Sequence, residues 1–347
     1  PLGYHEIKLS SGARSDRARL AVVPPRCFEV DSDKSKRLWG TSCQLYTLRS
    51  ARNWGIGDFS DLMELITLSA AAGMDVVALN PLHAPNMAGD DFASPYSPAD
   101  RRFLNPLYID PQQVTDFCES KAINAAVNSP DHQQKLLELR GQPLVDYEGV
   151  AALKYAVFDL LFQYFLEHHL DKNTHRAAAF EEFVGQRGGP LESFSGHESE
   201  SGGLNVPSAT DPRFHQYLQW LAHGQLQQCQ TLALERGMSV GLMGDLAVGA
   251  VKGGAEVEGN PGLFCKTASI GAPPDPFAQQ GQNWNLPALD PIALKRDNYR
   301  HFIDLLAANM SNCGALRIDH VMGLMRLWWC LPDTGGGAYV YYPFEDL

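Results

Sequence analysis

The chain has 347 residues, 44% hydrophobic and 20% charged, the values of an ordinary globular protein that can bury a large core. A formal net charge of -12 repels phosphate backbones and anionic lipid, and no basic run interleaved with aromatics offsets it, so neither nucleic acid nor membrane is expected as a partner. No uninterrupted apolar stretch approaches the roughly 20 residues that cross a bilayer, and the start lacks a charged-then-apolar signal pattern, which predicts a soluble, cytoplasmic protein.

The chain opens on Pro1, and the short alternating segments up to Val23 read as the last strands of a β-rich unit that begins earlier. Gly40 to Leu48 reads as a buried strand, Trp54-Gly-Ile-Gly-Asp58 as a loop, and Phe59 to Ala72 as a helix with Leu62, Leu65, Ile66 and Ser69 on one face. Asp58 is the expected N-cap and Gly73 the expected stop, with a second buried strand over Asp75 to Asn80. Strand, helix, strand in that order predicts a parallel sheet. Asp90 to Pro111 reads as a long loop, and Val150 to Leu170 and Arg213 to Arg236 as amphipathic helices. Between those helices, the Gly, Ser and Glu-rich stretch Gly185 to Pro212 reads as a mobile surface segment that could serve as a lid. Two further strands, Ser239 to Asp245 and Ala315 to Asp319, each end in a carboxylate, the second after a helix over Asp297 to Asn312.

Seven scattered cysteines without a C-x-x-C pair are expected to be reduced thiols. No metal site is expected, since the adjacent His168 and His169 lie on a predicted helix and point to different faces.

The chemistry concentrates in Gly314-Ala-Leu-Arg317-Ile-Asp319-His320, a strand whose alternation sends Arg317 and Asp319 to one side. A cation two residues from an aspartate favours the ionised form, as a glycosidase nucleophile requires. Alone, such a motif is more often a surface ion pair with the aspartate capping the next helix. Asp245 ends its own strand between glycines that let a ligand come close, although a turn aspartate looks the same. Gly271-Ala-Pro-Pro-Asp275-Pro-Phe-Ala-Gln-Gln-Gly-Gln282-Asn-Trp284 combines rigid prolines, a carboxylate, amides and an indole, the mixture that stacks a pyranose face and bonds its hydroxyls. A structural tryptophan in a loop is the competing account. Ser94-Pro-Tyr96-Ser-Pro98 fixes a tyrosine in a stiff loop, where it either lines a pocket or plugs it.

Taken together, these segments resemble the amylomaltases, the 4-α-glucanotransferases of glycoside hydrolase family 77 in the α-amylase clan. The resemblance runs from Leu2-Gly-Tyr-His5 and Trp39 to Thr47 through Asn53-Trp-Gly-Ile-Gly-Asp-Phe59, Asn80-Pro-Leu-His83 and Ser94-Pro-Tyr-Ser-Pro98. It continues in Gly244-Asp-Leu-Ala-Val-Gly249, Ala272-Pro-Pro-Asp275, Gly281-Gln-Asn-Trp284 and Arg317-Ile-Asp-His320. It implies a (β/α)8 TIM barrel with helical insertions, present here as an incomplete barrel of about its first four strands. On this division, residues 1–37 end an N-terminal β-rich domain and linker, and 38–112 begin the barrel. Residues 113–236 are a mostly helical insertion, and 237–347 continue the barrel through the nucleophile strand.

The activity implied is transfer of α-1,4-glucan segments by a retaining double displacement, with maltodextrin as substrate and no cofactor. By the same resemblance Asp319 is the nucleophile, Arg317 holds it ionised, and Tyr96, Asp245 and His320 surround the donor sugar. Asp275, Gln282 and Trp284 fall on the acceptor side. The family's acid/base glutamate stands in a Gly-Glu-Asp-Leu-Gly context one strand further on, and that context does not occur here. Tyr342-Pro-Phe-Glu345-Asp-Leu347 matches the helix before that strand instead, so Glu345 is not expected to be the acid and the barrel is expected to be completed by other residues. A clan hydrolase using water as acceptor, or a catalytically incomplete maltodextrin-binding piece, are the alternatives.

Overall fold

The computed structural model describes residues 1–26, 37–87, 93–332 and 336–342. Strands β1 (Gly3–Ser11) and β2 (Arg14–Val22) form an antiparallel hairpin whose two-residue turn opens with Gly12 at φ 59°, a conformation that favours glycine. β3 (Gly40–Cys43) is shorter than the Gly40 to Leu48 strand expected, and only half buried. The chain leaves it through a 3-10 turn at Leu45–Thr47, because the Leu45 amide is held by the Asn80 side chain at 2.8 Å.

Helix α1 (Phe59–Ala71) begins where the sequence indicates. Asp58 accepts the amides of Ser60 and Asp61 while Asp61 reaches back to the Asp58 amide, a complete capping box. Leu62, Ile66 and Ser69 are buried along one face, and Gly73 ends the helix at φ 79°. The preceding loop is fixed by charge. Arg52 donates to Asp58, Asp61 and Asp110 at 2.6 to 3.0 Å, and its neighbour Trp54 is fully buried. A Cβ on Gly57 would stand 2.0 Å from the Leu45 carbonyl, so only glycine fits this approach.

β4 (Val76–Leu79) follows, then β5 (His83–Pro85) and β6 (Pro98–Leu104), which pair antiparallel. The loop expected from Asp90 to Pro111 thus contains a buried strand in its middle, with Asp100, Arg101 and Arg102 sequestered on it. Their charge made the segment look exposed, whereas each is paired inside. Helices α2 (Thr115–Glu119), α3 (Lys121–Val127), α4 (Pro130–Gly141) and α5 (Tyr147–Phe165) come next.

With its π-helical continuation α5 covers Tyr147–Leu170, long and apolar enough by length and composition to cross a membrane. Lys154 and Asp159 interrupt the run, so a search for uninterrupted apolar stretches misses it. Its Val150, Phe158, Leu161 and Phe165 are wholly buried in the core, and the Lys154 ammonium donates to the carbonyls of Leu107 and Ile109 at 2.6 and 2.8 Å. Burial lowers the Lys154 pKa from its ordinary value.

α6 (His175–Ser201) corrects the expectation of a loose surface segment from Gly185. The helix kinks at Gly188, carries Pro190 inside, and continues to Ser201, where Leu191 and Phe194 are buried and Phe194 stacks on Phe103 at 4.3 Å. A background of Gly, Ser and Glu hides this i, i+3 apolar pair. α7 (Pro212–Glu235) packs Phe214 and Tyr217 against Phe162 at 5.5 and 5.6 Å.

β7 (Gly241–Leu246), α8 (Ala255–Glu258), β8 (Phe264–Ala272), β9 (Gln282–Leu289), α9 (Pro291–Arg296), α10 (Arg300–Met310), β10 (Ala315–Ile318), β11 (Arg326–Cys330) and β12 (Gly337–Tyr341) complete the described elements. The single helix expected over Asp297 to Asn312 is α10 alone, set off from α9 by Asn298 and Tyr299 in the left-handed region. Two four-stranded sheets organise the described fold. One is parallel in the order β10-β7-β4-β3, and the other antiparallel in the order β12-β11-β8-β9. The parallel sheet and the helices share one core, in which Leu45, Val77 and Leu242 adjoin Phe158, Phe162 and Phe214. Replacing Asp58 with alanine removes the cap and one carboxylate from Arg52. Urea unfolding should show a loss of at least about 1 to 2 kcal/mol, and a smaller loss would mean the capping box is not formed in solution.

Candidate functional site

The site begins with a register. β10 lies parallel to β7 so that Arg317 is the direct neighbour of Asp245, and Asp319 follows at the strand's carboxyl end. Arg317 uses that position fully. One guanidinium nitrogen donates to both Asp245 oxygens at 2.6 Å and the other to Asp319 at 2.6 Å, so one cation bridges two carboxylates. Tyr96 donates its hydroxyl to Asp245 at 3.2 Å from the chain segment before β6. Four of the residues singled out from the sequence therefore meet in one constellation.

Exposure differs sharply across it. The Asp245 side chain is 5% exposed, that of Asp319 24% and that of Arg317 49%. Burial raises the Asp245 pKa above the ordinary carboxylate value, opposed by Arg317 and Tyr96. Its carboxylate neighbours raise the pKa of Arg317 further above its ordinary value, so the cation is permanent. Asp245 is locked in place, whereas Asp319 keeps an oxygen free toward solvent.

His320 follows Asp319 in the left-handed region at φ 51°. This turn carries its ring edge-on to Trp284, centroids 5.0 Å apart. Trp284 stands on β9, where Asn285 also has φ 56° and the β8 pairing shifts register between Ile270 and Gly271. Gln282 accepts the Trp284 indole N–H at 3.0 Å. Asp275 is placed differently. It lies exposed in the β8–β9 connection, and its carboxylate accepts the amides of Phe277 and Ala278 at 2.7 and 2.6 Å, a turn role. The larger cavities avoid this constellation in part. A cleft of about 690 Å³ bordered by Arg102, Asn260 and Arg296 does not include it, while a mostly apolar cavity of about 350 Å³ touches Asp319 and His320.

Sequence reasoning missed a buried polar network behind these residues. Arg101 on β6 is bound to Glu256 on α8 through its backbone amide at 3.0 Å and through its guanidinium, and His301 on α10 lies 3.0 Å from the same carboxylate. Arg101 also donates to the carbonyls of Ala247 and Val248, just past Asp245. The Ala247 amide in turn donates to His83 Nε2 at 3.1 Å. These residues come from four distant segments, and no local pattern connects them.

A parallel α/β sheet presenting an arginine-bridged pair of carboxylates at strand ends, next to an indole, has the parts of a glycoside-processing centre. A family model described as 4-alpha-glucanotransferase, glycoside hydrolase family 77, matches residues 43–203 and 197–347. The chain belongs to that family. It is 39% identical to a 4-alpha-glucanotransferase of Haemophilus influenzae and 34% identical to one of Mycobacterium tuberculosis, with all of this chain aligned to 54% and 51% of those proteins. Among solved structures it is similar to an amylomaltase from Corynebacterium glutamicum, with a TM-score of 0.87 and 32% identity over 99% of this chain and 49% of that one. An amylomaltase from Streptococcus agalactiae in complex with acarbose shares the fold at TM-score 0.72 and 19% identity, covering 90% of this chain and 66% of that one. The chain spans about half the length of the curated relatives it matches.

The histidine at the back of the site makes folding pH-dependent. Burial, with Arg101 nearby, lowers the His83 pKa from 6.5 to about 3. The unfolded chain therefore takes up a proton below pH 6.5 that the folded chain refuses, so stability is full above pH 6.5 and is lost as pH falls toward 3. One such group costs about 2 kcal/mol between pH 7 and pH 5. His83→Gln should make the measured fall in unfolding free energy over that interval smaller by about 2 kcal/mol, the buried His223 keeping its own share, and an unchanged slope would show that the native imidazole titrates freely.

Proposed function

We propose that this chain carries the nucleophile side of a 4-α-glucanotransferase centre that moves segments of α-1,4-glucan to an acceptor sugar. The observation that supports it is the single guanidinium of Arg317 joining Asp245, on one strand, to Asp319, at the end of the next. Asp319 attacks the anomeric carbon of the donor while the glycosidic oxygen leaves with a proton. A hydroxyl of the acceptor glucan then gives up its proton and displaces Asp319, restoring the original anomeric configuration. Arg317 orients the nucleophile, and Asp245 with Tyr96 binds the donor sugar beside it. His320 lies on the donor side and reaches Trp284, which with Gln282 and the Asp275 turn forms the acceptor side.

The proton donor needs to stand about 5 to 5.5 Å from Asp319 on the other face of the sugar. Asp245 is unsuited to it, since both its oxygens accept from Arg317. The family resemblance assigns that role to a glutamate outside the described residues. In the same reading the four parallel strands are the first part of a (β/α)8 barrel, with β10 as the edge on which the next strand is added. A cytoplasmic maltodextrin pool is the setting that suits such a transferase.

Incubation of the full-length enzyme with maltotriose tests the reading. Transfer gives a ladder of longer maltodextrins, whereas products no longer than the substrate indicate hydrolysis. Asp319→Asn should lower transfer by roughly 10⁴-fold or more with the fold intact, and unaltered transfer in that variant rejects Asp319 as nucleophile. Arg317→Lys keeps the charge but loses the rigid planar fork that directs the two carboxylates, and should lower kcat by about 10²-fold.

A further inference from the structure

Behind Asp245 the chain turns through Leu246, Ala247 and Val248, and four backbone groups of this turn have partners from other segments. The Leu246 carbonyl accepts the amide of Asp319 at 3.0 Å, so the nucleophile's own backbone hangs on it. The Ala247 amide donates to His83. The carbonyls of Ala247 and Val248 each accept from one nitrogen of Arg101 at 3.1 Å. Arg101 cannot swing away, because Glu256 takes its amide and two further guanidine nitrogens, and Asn309 on α10 donates to its carbonyl at 2.9 Å. Glu256 is fully buried and its fourth partner is His301, itself 3% exposed.

We infer that Arg101 and Glu256 are positioning residues for glucan transfer, holding the turn that fixes Asp245 and Asp319 relative to each other; this rests on the functional reading given above. The chemistry demands it. The side chains of Asp245 and Asp319 are joined only through the half-exposed Arg317, a pairing that water screens and that by itself holds the two carboxylates weakly. A displacement of about 1 Å at a reacting group costs on the order of 10²-fold in rate. The buried network supplies the missing rigidity from behind. Burial alone would raise the pKa of Glu256, but Arg101 and His301 outweigh it and hold the carboxylate well below its ordinary range, so the anchor stays charged. Arg101 is suited to this by geometry, for a planar fork can meet a carboxylate on one edge and two carbonyls on the other, which an ammonium cannot.

The test uses Arg101→Lys and the milder His301→Phe, which removes one donor to Glu256 while keeping a ring. In the full-length enzyme acting on maltotriose, Arg101→Lys should lower kcat by about 10²-fold with KM within about threefold, and His301→Phe by about tenfold. In the same variants, amide hydrogen exchange should quicken in residues 245–250 and 317–321 and stay unchanged in α1 and α7. A folded variant with wild-type kcat overturns the inference where the wild type makes the maltodextrin ladder. Exchange that is unaltered in those two segments, or quickened evenly across the chain, overturns it even if the wild type makes no ladder, an outcome that would count separately against the functional reading. If Arg101→Lys does not fold, both readouts on His301→Phe decide.

Discussion

One guanidinium held between two carboxylates is the contact on which the site depends. Its geometry is set by the parallel register that puts Arg317 beside Asp245, with Asp319 two residues further along the same face. Register in a sheet is specified most strongly where one face is buried, and Leu242 and Leu246 on β7 are buried. A slip of one residue would turn Arg317 to the opposite face and separate all three charges. The site is therefore as exact as the core beneath it, and apolar packing rather than ion pairing sets the positions of the charges.

The charges themselves are treated in two ways. Arg52 with Asp58, Asp61 and Asp110, and Arg101 with Glu256, are clusters in which the carboxylates are buried and carry several donors each. Such clusters contribute less net stability than their distances suggest, since desolvation offsets the Coulomb gain, but breaking one partner away is costly. They act as fixed joints. Arg317 is half exposed, and water screens its pairs, so its value lies in direction and not in stabilisation. Asp319 is oriented through one oxygen by Arg317 and keeps the other open.

Legibility in the sequence followed the range of the interactions. The capping box at Asp58, the stop at Gly73 and the strands ending near Asp245 and Asp319 depend on neighbours within a few residues, and each could be read directly. The parallel pairing followed from the order of elements. What could not be read were places where composition and burial disagree. β6 hides Asp100 and two arginines because their partners sit inside the fold, and α6 continues through a Gly and Ser-rich stretch because Leu191 and Phe194 find Phe103. β11 and β12 went unmarked as well: β11 is placed by β8 across long sequence distance, and β12 then pairs with β11. The Arg101 network is the extreme case, uniting positions 83, 101, 256 and 301 with no local pattern.

Backbone strain at the front of the site carries the same logic to the Trp284 side. His320 and Asn285 both occupy the left-handed region, which costs about 1 kcal/mol or more for a residue other than glycine. Asparagine tolerates that conformation better than most, whereas histidine must be held there by its surroundings. The two residues flank the Trp284 to His320 contact from either side, one following the indole on β9 and one being the imidazole that meets it. A relaxed extended backbone at His320 would carry β10 straight on and point its ring away from the hairpin. The strain is what bends the chain immediately after Asp319, so that the end of β10 and the hairpin holding the indole meet through His320 and Trp284.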